Sequence, residues 1–298
     1  MPGKRLKSRV FSSTRDAIML VERTYSVKQV GELPRLTGDL NPLHQEGPMR
    51  EYGRWPIVSG MQLFVDSARH AAGFLSNGGK LIRLVLQKGV AHPDEPLKVG
   101  ITYHPERLVN GVRLVAFRGE EDLLSCGEAF SVIEQAEKNP LSAVGVAPMI
   151  RLPMEKGSLD AFSKLVRCED RVAGLLYAIA RSSQAMYSRI LAPQTDPELA
   201  LHKKMYPLGV GGTPGWLPAY TALTVFTPVD AHLDDKRDLD FKVDTAFARK
   251  DAGARIECSQ AGRLLYAAES TIRLRSLDMM LGKIAKERSP PRSEETAV

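Results

Sequence analysis

A stretch of apolar residues at helical spacing, followed by four strand-like segments, most constrains the fold of this chain. Within Ser59 to Phe74 the apolar residues recur three and four positions apart, which predicts a helix with one buried face. The segments that follow are rich in apolar and β-branched residues, and Asn110-Gly111 is typical of a hairpin turn. They span 81–90, 97–104, 111–119 and 123–134. One long helix followed by antiparallel strands indicates a curved sheet wrapped round a helix.

The second half of the chain repeats this order weakly. An amphipathic helix is predicted from Asp170 to Ile190, and strand-like segments follow a Gly/Pro-rich loop. These segments span 238–249, 254–260 and 263–275. We therefore expect an α+β fold made of two similar halves that pack sheet to sheet.

Composition changes mark the boundaries of these halves. A strand near 22–27 and a helix near 30–36 are expected to open the first half. Proline-rich sequence predicts a linker in mid-chain, and the charged, Ser/Pro-containing C-terminus has too few apolar groups to order itself. The predicted regions are a flexible basic head at 1–20, a first half at 21–135, a linker at 136–153, a second half at 154–280 and a disordered tail at 281–298.

Overall composition excludes several classes of protein. The 298 residues are 43% hydrophobic and 26% charged, as in ordinary globular proteins rather than disordered, collagenous or coiled-coil ones. With no long apolar segment and no secretory signal, we expect a cytoplasmic protein without a membrane partner. Cys126, Cys168 and Cys258 are odd in number and lack CxxC spacing, which favours buried free thiols over disulfides or a zinc site.

The formal net charge of +6 is partly explained by the N-terminal head. Lys4, Arg5, Lys7, Arg9 and Arg15 all precede the first acidic residue. Such a head can bind nucleic acid, direct a chain to the mitochondrial matrix, or simply be solvated. Because little charge asymmetry is left beyond it, we expect no nucleic-acid partner.

A Gly/Pro-rich turn, Gly38-Asp39-Leu40-Asn41-Pro42-Leu43-His44, is the segment where chemistry can be inferred. The turn can bring the Asp39 carboxylate and the His44 imidazole to one point, where together they could polarise a water molecule and return a proton to the product. The alternative is structural, with Asp39 capping the turn and His44 only hydrogen-bonding.

The turn and the later segment Pro56-Ile57-Val58-Ser59-Gly60-Met61 together resemble the signature of the MaoC-like (R)-specific enoyl-thioester hydratases of the hot-dog fold. The resemblance covers Ser26 to Glu134, and for the second half it extends only to architecture. It implies a double hot-dog in which Asp39 and His44 form the catalytic dyad. The second half lacks such a pair, since its helix offers only Ser182, Ser183 and Gln184.

Gly60 begins the predicted helix after the favourable N-cap residue Ser59, where backbone N–H groups are unsatisfied. The resemblance assigns the Gly60 N–H to the thioester oxygen, whereas a glycine can also simply permit a tight turn. Many members of the resembled family have His where this chain has Ser59. Substrate contacts are expected from Asn41, which would also support the dyad, and from Ser59, Met61 and Trp216; packing in its loop is the alternative for Trp216.

The resemblance implies reversible hydration of trans-2-enoyl thioesters, or dehydration of (R)-3-hydroxyacyl thioesters, without metal or other cofactor. The substrate would be carried on coenzyme A or acyl carrier protein, as in fatty acid metabolism, and the second half would enlarge the acyl tunnel. The alternatives are a pathway-specific dehydratase or cyclase acting on a polyketide or branched diacid thioester, and a non-catalytic acyl-thioester binding protein. A homodimer stays open as an alternative to a monomer.

Overall fold

The computed structural model describes residues 11–13, 16–39, 41–51, 56–70, 79–89, 93, 96–104, 109–117, 125–191, 216–248 and 251–287. Within them the helices are α1 (Val27–Thr37), α2 (Glu46–Glu51), α3 (Gly60–His70), α4 (Ser158–Val166), α5 (Asp170–Ala180), α6 (Ser182–Leu191) and α7 (Leu277–Glu287), with a 3-10 turn at Pro42–His44. The strands are β1 (Phe11–Ser13), β2 (Asp16–Thr24), β3 (Lys80–Gly89), β4 (Pro96–His104), β5 (Val109–Phe117), β6 (Ser125–Gln135), β7 (Met149–Leu152), β8 (Trp216–Thr227), β9 (Leu239–Ala248), β10 (Asp251–Gln260) and β11 (Arg263–Ser276).

These strands form one antiparallel sheet in the order β1-β2-β4-β5-β6-β3-β8-β11-β10-β9-β7. The two halves meet where β3 pairs with β8, with Ile82 opposite Val225 and Leu84 opposite Leu223. The expected packing of one sheet on the other is therefore wrong, because the sheets join edge to edge. This pairing runs over 80–85 of β3 and 222–227 of β8 and covers those parts of two strands that would otherwise be open edges.

One hydrophobic core runs through both halves. It includes Phe64 and Ala68 of α3, Ile82 and Val225 of the joining strands, and Tyr266 of β11. In the first half α3 packs against β3, β5 and β6, and in the second half α5 packs against β11 while α6 contacts β9 and β10. The predicted order of helix and wrapped strands is thus confirmed in each half.

The first half begins earlier than its sequence pattern predicts. Strand β2 starts at Asp16 and pairs with β1 and β4, so residues 11–13 and 16–20 of the expected flexible head belong to the sheet. Helix α1 starts at Val27 because Ser26 and Gln29 form a capping box, in which each side chain binds the other residue's backbone N–H. The predicted strand at 22–27 therefore ends at Thr24, before this cap.

The four strands predicted after α3 are present with shifts of one or two residues at their ends. The predicted hairpin turn at Asn110-Gly111 is wrong, because both residues lie inside β5, opposite Tyr103 and Thr102 of β4. Helix α3 is described from Gly60 to His70, and the predicted extension to Phe74 lies outside the described residues.

Three further boundaries differ in the second half. The predicted helix 170–190 is two helices that meet at Arg181, whose N–H still donates to the Tyr177 carbonyl at 3.0 Å. The predicted linker contains β7, an edge strand paired with β9. The predicted disordered tail begins inside α7, which continues to Glu287. Apolar residues of α7 pack onto the first half, which explains why this segment is ordered.

Cys258 is a buried free thiol, as predicted, whereas Cys168 is free but only half-buried; the Cys126 side chain is not described. In the described part of the chain, no helix combines the length and apolarity needed to cross a bilayer.

Candidate functional site

The end of α1 positions Asp39. Gly38 closes the helix with a φ of 68°, a left-handed conformation that glycine adopts without the steric cost of a Cβ. The Asp39 N–H then donates to the Pro34 carbonyl at 3.0 Å. The chain therefore leaves the helix with the Asp39 side chain at a fixed point, immediately after the last turn.

Side chains of the following turn hold its backbone. Asp39 Oδ1 accepts from the Asn41 N–H at 2.9 Å, and Asn41 Oδ1 accepts from the Leu43 N–H at 3.0 Å. The His44 N–H donates to the Asn41 carbonyl at 3.1 Å. These bonds are the local ones that Asp and Asn form in turns. Asn41 therefore shapes the turn, with its amide oxygen committed to the backbone.

Asp39 and His44 contact each other directly. His44 Nδ1 lies 2.9 Å from Asp39 Oδ2, and the two residues are only 9% and 7% exposed. With Nδ1–H donating to the carboxylate, the other ring nitrogen, Nε2, carries the lone pair. No group of the described residues hydrogen-bonds to Nε2. The structure brings the predicted pair together as a carboxylate that orients an imidazole.

The N-terminus of α3 is tied to the same turn. The Ile57 N–H donates to the Leu43 carbonyl at 2.9 Å, next to His44. Ser59 caps α3, its Oγ accepting from the Gln62 N–H at 2.9 Å, so the cap leaves the N–H groups of Gly60 and Met61 to other partners. The Met61 side chain is 3% exposed and belongs to the hydrophobic core.

The second half reaches this turn through α6. The Gln184 amide lies 2.5 to 2.8 Å from the point where a Cβ on Gly38 would stand. Its Oε1 accepts from Nε of the buried Arg181 at 3.0 Å. Tyr187 packs in a cluster with Leu43 and Ile57. Helix α6 therefore covers the turn that carries Asp39 and His44.

Two phenols of the second half lie near the Asp39 carboxylate. Burial, reinforced by the negative charge of Asp39, raises the pKa of Tyr187 well above its usual value. Burial is also the main cause that raises the pKa of Tyr220 to about 12, and Asp39 adds to it. Both phenols are therefore neutral hydrogen-bonding groups at physiological pH.

Tyr187 is not among the site residues that the sequence predicts. A tyrosine in an amphipathic helix carries no local signal of what it faces more than a hundred residues away. Trp216 begins β8, and the structure describes its backbone only. Its predicted contribution to the acyl tunnel depends on the side chain and therefore stays a prediction.

No protein-family model and no curated protein matches this sequence. Solved structures do match. A bifunctional dehydratase-cyclase domain of ambruticin biosynthesis is similar with a TM-score of 0.51 at 14% identity, over 94% of this chain and 97% of that domain. The chain has the hot-dog fold. The fold predicted from the MaoC-like resemblance is thereby confirmed.

Two other solved structures are similar at lower scores. A "MaoC-like dehydratase" has a TM-score of 0.49 at 12% identity, over 87% of this chain and 97% of the other. The dehydratase domain of the polyketide PpsC from Mycobacterium tuberculosis has a TM-score of 0.48 at 10% identity, over 90% and 97%. The reaction of this hot-dog chain has to be inferred from its own side chains.

Proposed function

We propose that this hot-dog protein is a MaoC-like dehydratase that interconverts (R)-3-hydroxyacyl and trans-2-enoyl thioesters. The observation that carries the proposal is the 2.9 Å contact between His44 Nδ1 and Asp39 Oδ2, with His44 Nε2 left unbonded by the described residues. An oriented imidazole with one free nitrogen can accept and return a proton near neutral pH.

In the proposed dehydration, His44 Nε2 takes a proton from C2 of the 3-hydroxyacyl thioester. The same proton is then given to the hydroxyl group at C3, which leaves as water while the C2–C3 double bond forms. Hydration is the reverse, with Nε2 accepting a proton from water as its oxygen bonds to C3. The reaction needs no oxidant, reductant or cofactor. Asp39 is a positioning residue here, because both of its carboxylate oxygens are committed to neighbours.

Charge that develops on the thioester oxygen needs a hydrogen-bond donor. In this proposal the Gly60 N–H supplies it, since Gly60 opens α3 and the Ser59 cap serves Gln62 instead. The bond from Ile57 to Leu43 holds this helix end to the turn that carries His44. Coenzyme A and acyl carrier protein are the carriers to be compared.

The test is turnover of a panel of enoyl-CoA thioesters, beginning with crotonyl-CoA and followed by loss of the enoyl ultraviolet absorbance. We expect His44→Ala to lower kcat by about 10²- to 10⁴-fold, the usual contribution of a general acid–base. Asp39→Asn should also lower kcat strongly, because an amide cannot accept both the Asn41 N–H and the His44 Nδ1–H. His232→Ala and Asp235→Asn, both at exposed positions, are the matched controls.

Wild-type turnover that survives both site substitutions would refute the assignment of Asp39 and His44. Tight binding of acyl-CoA with no turnover of any thioester, on either carrier, would instead identify a non-catalytic binding protein. Turnover restricted to polyketide or branched diacid thioesters would place the protein in a specialised pathway.

A further inference from the structure

Among the described residues, four buried hydroxyl groups of α6 and β8 have no hydrogen-bond partner. They are Ser182 Oγ, Ser183 Oγ, Tyr187 Oη and Tyr220 Oη, which we call the hydroxyl cluster. The whole side chains of the two serines and Tyr187 are buried as well, with at most 4% exposure. Ser183 and Ser182 lie close enough to the Tyr220 hydroxyl to oppose the rise in its pKa that burial causes, so these three hydroxyls are neighbours.

The cluster lies on the side of the second half that covers the Asp39 turn. Ser183 and Tyr187 are four residues apart on α6, and Gln184 and Tyr187 are three apart, so these side chains share one helix face. That face is fixed by two contacts, from Gln184 to Gly38 and from Tyr187 to the Leu43 and Ile57 cluster. The hydroxyl cluster therefore belongs to the surroundings of the dyad.

Two other buried phenols of the same core are satisfied, whereas Ser270 Oγ on β11 is a further buried hydroxyl without a partner among the described residues. Tyr177 Oη is bonded to Ser158 Oγ at 2.9 Å and to Arg181 Nη1 at 2.8 Å, and Tyr266 Oη donates to the Ala178 carbonyl at 3.3 Å. Each buried polar group left without a partner costs about 1–3 kcal/mol of stability. Phe and Ala would line a channel for a plain fatty acyl chain without this cost. Four such hydroxyls grouped beside the dyad therefore indicate polar atoms of a ligand.

We propose that the hydroxyl cluster binds a neutral oxygen function, a hydroxyl or a carbonyl, carried by the acyl group beyond its reacting carbons. The inference rests on the proposed function, because it takes the ligand to be an acyl thioester. Ser and Tyr hydroxyls both donate and accept, so they suit either oxygen function. The nearby Asp39 carboxylate, whose charge reaches both phenols, disfavours a second carboxylate on the acyl chain. The protein thus selects oxygenated acyl thioesters over plain ones.

Binding of unreactive analogues tests this without requiring turnover. Calorimetry would compare octanoyl-CoA with octanoyl-CoA bearing a hydroxyl or an oxo group at C5 or C7, and with a C8 dicarboxylic mono-CoA thioester. We expect at least one neutral oxygenated analogue to bind about 10-fold or more tightly than octanoyl-CoA. The double variant Ser183→Ala/Tyr187→Phe should remove that preference and leave the Kd of octanoyl-CoA nearly unchanged.

Tyr177→Phe is the matched control, since it removes a phenol that is already bonded within the protein. It should lower stability in urea and preserve the preference, whereas the double variant should keep its stability because it breaks no bond. Equal Kd values for plain and oxygenated analogues, tightest binding of the dicarboxylic analogue, or a preference unchanged in the double variant would overturn the inference. Loss of the proposed hydratase activity would be seen separately, in the turnover assay.

Discussion

Substitution of Gly38 tests whether the second half holds the turn that carries Asp39. In Gly38→Ala a left-handed conformation costs about 1–2 kcal/mol for a residue with a Cβ. The new Cβ would also stand 2.5 Å from Cδ and Oε1 of Gln184. That side chain cannot move freely, because Oε1 accepts from Nε of Arg181, which is 3% exposed. Overpacking of this kind costs about 1–3 kcal/mol.

The two effects together predict a loss of about 2–5 kcal/mol in the free energy of unfolding, a large part of the usual 5–15 kcal/mol. Urea denaturation would measure it. Gly31→Ala is the matched control, because nothing lies within 4 Å of its Cβ position inside α1. That change should stabilise the protein by up to about 1 kcal/mol, as alanine favours a helix over glycine.

A double-mutant cycle with Gln184→Ala separates the two causes. If Gln184 lies against Gly38, the two substitutions should couple by about 1–3 kcal/mol, leaving only the backbone cost of Gly38→Ala. Additive effects, or a loss below about 1 kcal/mol in Gly38→Ala alone, would refute the contact between α6 and the dyad turn.

Two further predictions concern the cap of α3 and the buried thiol. Ser59→Ala should cost about 1 kcal/mol in urea denaturation by removing the cap on the Gln62 N–H, whereas Ser59→Thr should retain most of it; equal losses would argue against the cap. Burial raises the pKa of the Cys258 thiol well above its usual value, so an alkylating reagent should modify Cys168 before Cys258 in the native protein and should reach Cys258 only in urea. Mass spectrometry of timed samples would measure this order, and equal native rates would contradict it.

Local signals in the sequence predicted much of the first half. The apolar spacing of α3, the Ser59 cap and the Gly/Pro-rich turn act over a few residues, and the structure has the helix, the cap and the Asp39–His44 contact there. The hairpin predicted at Asn110-Gly111 is wrong because a two-residue signal carries no information about strand length. In the structure both residues pair with β4 inside a longer strand.

Long-range pairing explains what the sequence did not reveal. The apolar sequence of β3 indicates that the strand is buried, but it does not indicate which strand pairs with it. The junction with β8 was therefore not predictable. The same holds for β7, a four-residue strand within proline-rich sequence, which is ordered by pairing with β9. Tyr187 is recognisable as a site residue only once Leu43 and Ile57 are seen beside it.

The β3–β8 junction also bears on how this protein responds to dilution. Because one polypeptide supplies both strands, the two halves meet at the high effective concentration that a tether imposes, whatever the protein concentration. A first half expressed alone would present β3 as an open edge, free to pair with another copy. Its assembly would then obey mass action and weaken on dilution. Covalent linkage therefore makes the pairing of two unequal halves permanent. One half can then carry the Asp39–His44 pair while the other supplies the residues that cover it.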